Sequence, residues 1–300
     1  MVQPSAPPLT GVLLAAAGAI TFGGKAIIIK LAYRHGVDAV TLLMLRMLFS
    51  LPIFAAMAWW ASRGRPPLTR QDWLAVCALG FSGYYLSSFL DFIGLQYITA
   101  SLERLILYLN PTMVLLLGWL LYRRKATRRQ LAGMAVSYVG VLLVFGREAG
   151  LEGANVVLGA ALVFASTITY ALYMVFSGQV VQRVGSLRLV GLATSVACVL
   201  CIAQFLLLRP VAIVATLPPP VIWLSVLNAA LCTAFPVLLV MMAIERVGPT
   251  VTAQAGMVGP LATILLGVWL LDEPFTGWIA AGTVLVIAGI FVFTRGERRA

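Results

Sequence analysis

Apolar residues run along this chain in long blocks separated by short polar stretches. About 20 helical residues cross a bilayer core of roughly 30 Å, and only helices or closed barrels satisfy the backbone there. Ten segments meet that length: 9–33, 39–62, 73–97, 101–122, 129–146, 156–182, 187–208, 220–244, 249–271 and 275–294. The connections are short, the longest lying at 63–72, 146–155 and 209–219, so no extramembrane domain is expected. The pattern predicts an all-α integral membrane protein with ten transmembrane helices.

Composition agrees: 61% of residues are hydrophobic and 10% charged, against roughly a quarter charged in soluble domains. The net charge of +11 does not mark a nucleic-acid surface, because the basic residues cluster between apolar blocks. It is a topology signal. With the amino terminus inside, fourteen Lys and Arg fall on inner connections and the tail, from Arg63, Arg65 and Arg70 through Arg123–Arg129 to Arg298 and Arg299. Only Arg34, Arg104, Arg147 and Arg209 then fall outside, an asymmetry that places both termini in the cytoplasm. Met1–Pro8 lack Lys and Arg, and the apolar block after them is longer than a signal-peptide core, so it is read as a retained span. Cys77, Cys198, Cys201 and Cys232 lie in apolar segments and are expected to pack, with no disulfide or zinc role.

An internal repeat organises the blocks. Asn110-Pro111, Gly118, Gly133 and Gly140 recur as Gly259-Pro260, Gly267, Gly282 and Gly289 at an offset of 149 residues, and Ala19–Phe22 is echoed by Thr167–Tyr170 at 148. Five spans per copy is an odd number, so the second copy enters the membrane inverted, an architecture of secondary transporters. The expected units are residues 1–150 and 151–300.

With these motifs and the run Leu270-Leu271-Asp272-Glu273-Pro274, the chain resembles the drug/metabolite transporter superfamily in its EamA-type form, two five-helix repeats. By overall likeness it is most similar to the YddG-type bacterial exporters of aromatic amino acids. The resemblance implies export of amino acids or related metabolites across a bacterial inner membrane, with no cofactor. One departure is Arg124, where the family pattern has a Glu after the fourth span; the second copy keeps Glu273.

Charges inside spans are expensive, about 2.5–3.5 kcal/mol at the bilayer centre, and so carry functional weight. At a rise of 1.5 Å per residue, Lys25, Arg46 and Asp91 lie roughly 13, 10 and 9 Å below the outer surface, similar depths that allow Asp91 to pair with Lys25 or Arg46. Glu103 and Arg104 open span four on that side, and Lys30 is expected to snorkel outward. Whether the buried charges hold helices together or meet the head of a zwitterion stays open.

Helical spacing puts Tyr84, Ser88 and Asp91 on one face of span three and Ser166, Thr169, Tyr170, Tyr173 and Ser177 on one face of span six. Ser101, Arg104 and Tyr108 share a face of span four, and Thr250, Gln254 and Met257 a face of span nine. With Thr21 and Asn228, the candidate substrate-contacting residues are Thr21, Lys25, Tyr84, Ser88, Asp91, Arg104, Tyr108, Tyr170, Tyr173, Asn228, Gln254 and Met257. Aromatic walls with a few hydroxyl and amide groups suit an apolar or aromatic amino acid. The alternative is hydrogen bonding between helices. Pro111 and Pro260 are candidate hinges, and Gly133, Gly140, Gly282 and Gly289 form packing grooves.

Gly24-Lys25 is not a phosphate loop, since Ala19 and Ala26 replace the required Gly and Ser or Thr. His35 is the only histidine, and no hydrolase or paired-His metal motif occurs, which disfavours an intramembrane enzyme. Sugar-phosphate cargo would call for a larger midplane cluster of bases. Asp91 and Glu103 are the only candidate proton carriers; held ionised by basic partners, they favour facilitated diffusion over proton antiport. The expected partners are a small-molecule substrate and the bilayer, with no metal site.

Overall fold

The computed structural model describes residues 9–123, 127–152, 154–256 and 258–297. Among them the chain is helical throughout, with no strand. Helices α1 (Leu9–Tyr33) and α2 (Ala39–Ser62) are followed by α3 (Arg70–Leu79) and α4 (Ser87–Gly94), joined without a break by a π-helical stretch, Gly80–Leu86. Then come α5 (Ala100–Leu107), α6 (Asn110–Tyr122), α7 (Arg128–Glu152), α8 (Ala154–Val184) and α9 (Ser186–Leu208). A 3-10 turn at Val211–Thr216 precedes α10 (Pro219–Ala229), a second π-helical stretch at Ala230–Ala234, α11 (Phe235–Ala255), α12 (Val258–Leu271) and α13 (Gly277–Glu297).

Eight of the helical stretches described are long and apolar enough to cross a membrane, where the hydropathy pattern predicts ten. The difference lies at the expected ninth and tenth spans, whose apolar helices are the shorter Val258–Leu271 and Gly277–Val292. The expected span 249–271 is divided, since α11 runs on through Gly248-Pro249 to Ala255 and only 14 residues remain in α12. A proline is tolerated inside a membrane helix when neighbouring helices satisfy the freed carbonyl. The expected connection at 146–155 is also mostly helical, because α7 continues to Glu152 and α8 begins at Ala154.

The surface belongs to lipid. All seven tryptophans, Trp59, Trp60, Trp73, Trp119, Trp223, Trp269 and Trp278, are exposed, and all but Trp223, in the middle of α10, lie within a turn of a helix end. Indole rings favour the headgroup level, so these positions mark the two interfaces. Inside, where lipid supplies no hydrophobic drive between helices, small residues allow close approach. A Cβ on Gly140 of α7 would lie 2.7 Å from the Gly282 carbonyl oxygen of α13, and one on Gly289 would lie 2.6 Å from that of Gly133. Gly94 and Gly159 bring α4 against α8 in the same way, each with 2.9 Å between its added Cβ and the other's oxygen.

The packing follows the repeat. Helix α7 packs along α13 and α2 along α9, each pair relating the same span of the two copies. Helix α1 packs on α10, α11 and α12, while its counterpart α8 packs on α4, α5 and α6. The two π-helical stretches also fall about 149 residues apart.

Candidate functional site

Four charged side chains from three helices meet inside the bundle. Lys25 of α1 places its Nζ 2.6 Å from Asp91 Oδ2 of α4 and 3.3 Å from Glu103 Oε1 of α5. Arg104 brings Nε to 3.8 Å from Glu103 Oε2 and donates from a terminal nitrogen to the carbonyls of Phe22 and Gly23 at 3.2 and 3.3 Å. All four are buried, so the two cations and two carboxylates form a neutral set shielded from water. Glycine makes this geometry possible: a Cβ on Gly23 would lie 3.2 Å from the Gly259 carbonyl oxygen, so α1 can approach α12, where Thr263 donates to the Gly23 carbonyl at 3.1 Å. Asp91 Oδ1 and both Glu103 oxygens accept no hydrogen bond among the described residues, although ion-pair partners stand beside Glu103.

A second group is aromatic. Tyr84 and Tyr173 share a hydroxyl hydrogen bond of 3.2 Å with ring centroids 5.0 Å apart, and Tyr170 stacks on Tyr173 at 5.6 Å. Tyr84 sits in the π-helical stretch Gly80–Leu86, and any side chain at Gly83 would run into the Tyr173 ring. π-Helical turns of this kind occur frequently at functional sites.

A third group surrounds Arg46 of α2, which is buried, donates from Nε to Thr233 Oγ1 at 3.0 Å and lies 5.3 Å from the Phe92 ring centroid. Thr233 in turn donates to the Asn228 carbonyl at 2.9 Å within the second π-helical region. Asn228 is buried, and its side-chain oxygen has no partner among the described residues.

The structure thus brings together Lys25, Asp91 and Arg104 in one group and Tyr84, Tyr170 and Tyr173 in another, with Asn228 in the third. Arg104, counted with the loop charges and also grouped with Glu103 at the start of span four, is buried, because Glu103 and two α1 carbonyls receive it. Asp91 takes Lys25, not Arg46, within ion-pair distance. Ser88 is half-buried, and the neighbouring Ser87 makes the tie to α8, its hydroxyl 3.0 Å from that of Ser166. Thr21 turns its hydroxyl back to the Ala17 and Gly18 carbonyls of its own helix. Tyr108 donates to the Gly256 carbonyl at 3.0 Å and so ties α5 to the break before α12. The Gln254 side chain and the whole of Met257 lie outside the described residues. Pro111 is the second residue of α6, just beyond the Tyr108–Leu109 break, and Pro260 the third of α12; both start a helix segment after a break, where a missing N–H costs little.

One feature went unread in the sequence. A cavity of about 560 Å³ opens at the end of α1, lined by Lys30, Tyr33, Arg34, Gly36, Val37, Asp38, Leu95, Gln96 and Leu271. Tyr33 donates to the Phe92 carbonyl at 2.6 Å, so this mouth reaches within one residue of Asp91. Burial pushes the Asp38 carboxyl up, but hydrogen bonds from Thr41 and the Arg209 guanidinium outweigh it and hold it below the usual carboxylate range. Arg34 donates to the Leu271 carbonyl at 2.6 Å, and Glu273 accepts from Ala100 N at 2.7 Å and from Ser101 Oγ at 2.7 Å, placing negative charge at the α5 amino terminus. These bonds tie the loop after α12 to α1 and α5. Among the described residues no cluster of His, Cys, Asp and Glu has the makings of a metal site.

The EamA-like transporter family model matches residues 9–146 and again 157–295. An uncharacterized transporter of Bacillus subtilis, YcbK, is 29% identical over 88% of this chain and 86% of its own. A probable amino-acid metabolite efflux pump of Salmonella typhimurium is 25% identical over 93% of each chain. A solved crystal structure covers 97% of this chain and 98% of its own at a TM-score of 0.63 and 21% identity, which shows a shared fold.

Proposed function

The chain belongs to the EamA-like transporter family, as a multi-pass membrane transporter, and from that premise we propose that it exports aromatic or large apolar amino acids and related metabolites. Export runs from the cytoplasm across a bacterial inner membrane, both termini cytoplasmic, by alternating access between two inverted five-helix repeats, residues 1–150 and 151–300. Alternating access is the rocking of one repeat against the other about a central site. The exchange of packing partners between α1 and α8 supports the inverted pair.

The observation that carries the cargo is the tyrosine group, in which buried Tyr173 joins half-buried Tyr84 and exposed Tyr170 on a π-helical turn. Its rings and hydroxyls suit a flat apolar side chain with a polar end. The Salmonella relative's name, an amino-acid metabolite efflux pump, points the same way, and so does the likeness to YddG-type exporters. Lys25, Asp91 and Arg104 hold α1, α4 and α5 to one another, and the breaks before Pro111 and Pro260 serve as hinges. The bonds from Arg34 and Glu273 tie the end of α12 and the loop after it to the end of α1 and the start of α5 beside the cavity.

Purified protein in liposomes is expected to move Phe, Trp, Met or Thr down a gradient, with little response to an imposed pH gradient because the buried carboxylates stay paired. Equal uptake by empty and protein-containing vesicles removes the proposal. Uptake of sugar phosphates in place of amino acids reassigns the cargo.

A further inference from the structure

One buried cation among the described residues of the spans stands apart from the ion-paired set. Lys25 and Arg104 are matched by Asp91 and Glu103, while Arg46, only 6% exposed, has no carboxylate within 4 Å among the described residues. Its hydrogen bond there is the one from Nε to Thr233, and the face of Phe92 offers a weak cation–π contact at 5.3 Å. Guanidinium does not shed its proton at any accessible pH, so the group cannot become neutral as a buried lysine can. Asp91 acts on it only from beyond contact and is itself held by Lys25, and a buried charge without a contacting partner is costly, which marks an intramembrane arginine as functional and calls for an anion. The planar fork of Arg fits a carboxylate through two parallel hydrogen bonds.

A second observation lies on the same chain of contacts. Thr233, which receives Arg46 Nε, donates to the Asn228 carbonyl, and the Asn228 side-chain oxygen is buried without a donor. Ser50, one helical turn beyond Arg46 on α2, is likewise fully buried with no partner for its hydroxyl. Unpartnered buried polar atoms are rare and call for a ligand or another explanation. Two of them, on Asn228 and Ser50, accompany the unmatched cation beside a π-helical turn.

We propose that Arg46 binds the carboxylate of the transported amino acid, with the Thr233 and Asn228 turn orienting the guanidinium. This deepens the amino-acid reading above and rests on it. The terminal nitrogens of Arg46 take the two carboxylate oxygens, and Thr233 holds Nε so that the fork faces the substrate. Selectivity follows: a compound without the carboxylate leaves the charge uncompensated and binds weakly whatever its ring.

The test is competition on the wild-type protein in detergent, against labelled Phe, by phenylalaninamide and phenylethylamine, which lack the carboxylate, and by 3-phenylpropionate, which keeps it and lacks the amine. Losing the partner of a buried charged pair costs about 30-fold or more, so both amines are expected to compete at least that much more weakly than Phe, with 3-phenylpropionate between. Arg46→Gln is expected to weaken Phe by a similar factor and to leave phenylethylamine within about threefold, with Arg46→Lys recovering part of the loss. Amines competing as well as Phe on the wild type overturn the proposal, even if the variants fail to fold. So does full Phe affinity in Arg46→Gln. No Phe binding at all, with empty-liposome transport, instead sinks the amino-acid reading itself.

Discussion

Positions 25, 91, 103 and 104 hold Lys, Asp, Glu and Arg, all buried; the residues 148 or 149 places further on are Tyr173, Val240, Thr252 and Ala253. Helix packing, by contrast, repeats closely between the two stretches, with Gly140 on Gly282 and Gly133 on Gly289. The scaffold was duplicated and the charge set was not. Burial explains why such a set stands or falls together. A carboxylate inside the bilayer needs a cation from another helix, and here the partners come from α1, α4 and α5 at once. Uncharged counterparts in the other copy have no such constraint and could diverge toward rings, as at Tyr173. The asymmetry therefore marks which copy carries the ionic frame.

The largest effect should come from breaking that frame. Asp91→Asn leaves Lys25 with Glu103 alone, and removing one partner of a buried pair costs about 3–5 kcal/mol. Abundance in the membrane and melting temperature in detergent should fall sharply, while the substrate preference of the surviving protein stays as it was. Lys25→Met combined with Asp91→Leu should recover much of the loss, since a neutral apolar pair needs no partner. Normal abundance with transport abolished in Asp91→Asn would instead make Asp91 a direct substrate contact.

The duplicated scaffold predicts matched, smaller losses. An alanine at Gly140 or at Gly289 must push α7 and α13 apart, and overpacking of this kind costs about 1–3 kcal/mol. The two substitutions should lower the melting temperature by similar amounts. If one proves silent and the other severe, the offset does not describe the packing.

Much of this was legible beforehand. Block lengths give most helices, the 149-residue offset picks out the packing glycines, and similar depths leave Asp91 to Lys25 or Arg46, of which the structure pairs it with Lys25. Span counting failed where a hydropathy window cannot see a break: nothing in the composition of 249–271 shows that the helix ends at Ala255 and restarts at Val258. Arg104 reads two ways in the sequence, as a loop charge at a span boundary and as a partner of Glu103, and burial of the pair decides for the second. The choice of Ser87 over Ser88 turns on a rotation of about 100° per residue, finer than a face assigned across a π-helical turn can resolve. The cavity at the end of α1 is invisible in the sequence since it is assembled from α1, the following turn, the turn after α4 and the end of α12.

The smallest expected effect sharpens the comparison at the helix starts. Asp38 caps α2 by accepting from Val40 N at 3.0 Å and from Thr41, whereas α9, the corresponding helix, starts after Gly185 at φ 87° with no side-chain cap. Asp38→Ala should therefore destabilise by about 1 kcal/mol, with no equivalent residue to remove at α9. The sign with pH follows from the carboxyl being held below its ordinary value in the folded protein. Its contribution is complete above the unfolded value, near pH ~4, and is lost as pH falls through the lower folded value. Wild type and Asp38→Ala should accordingly differ in melting temperature at pH 7 and converge in acid; a difference that persists below the folded value would mean that Asp38 acts through packing in the cavity at the end of α1 and not through its charge.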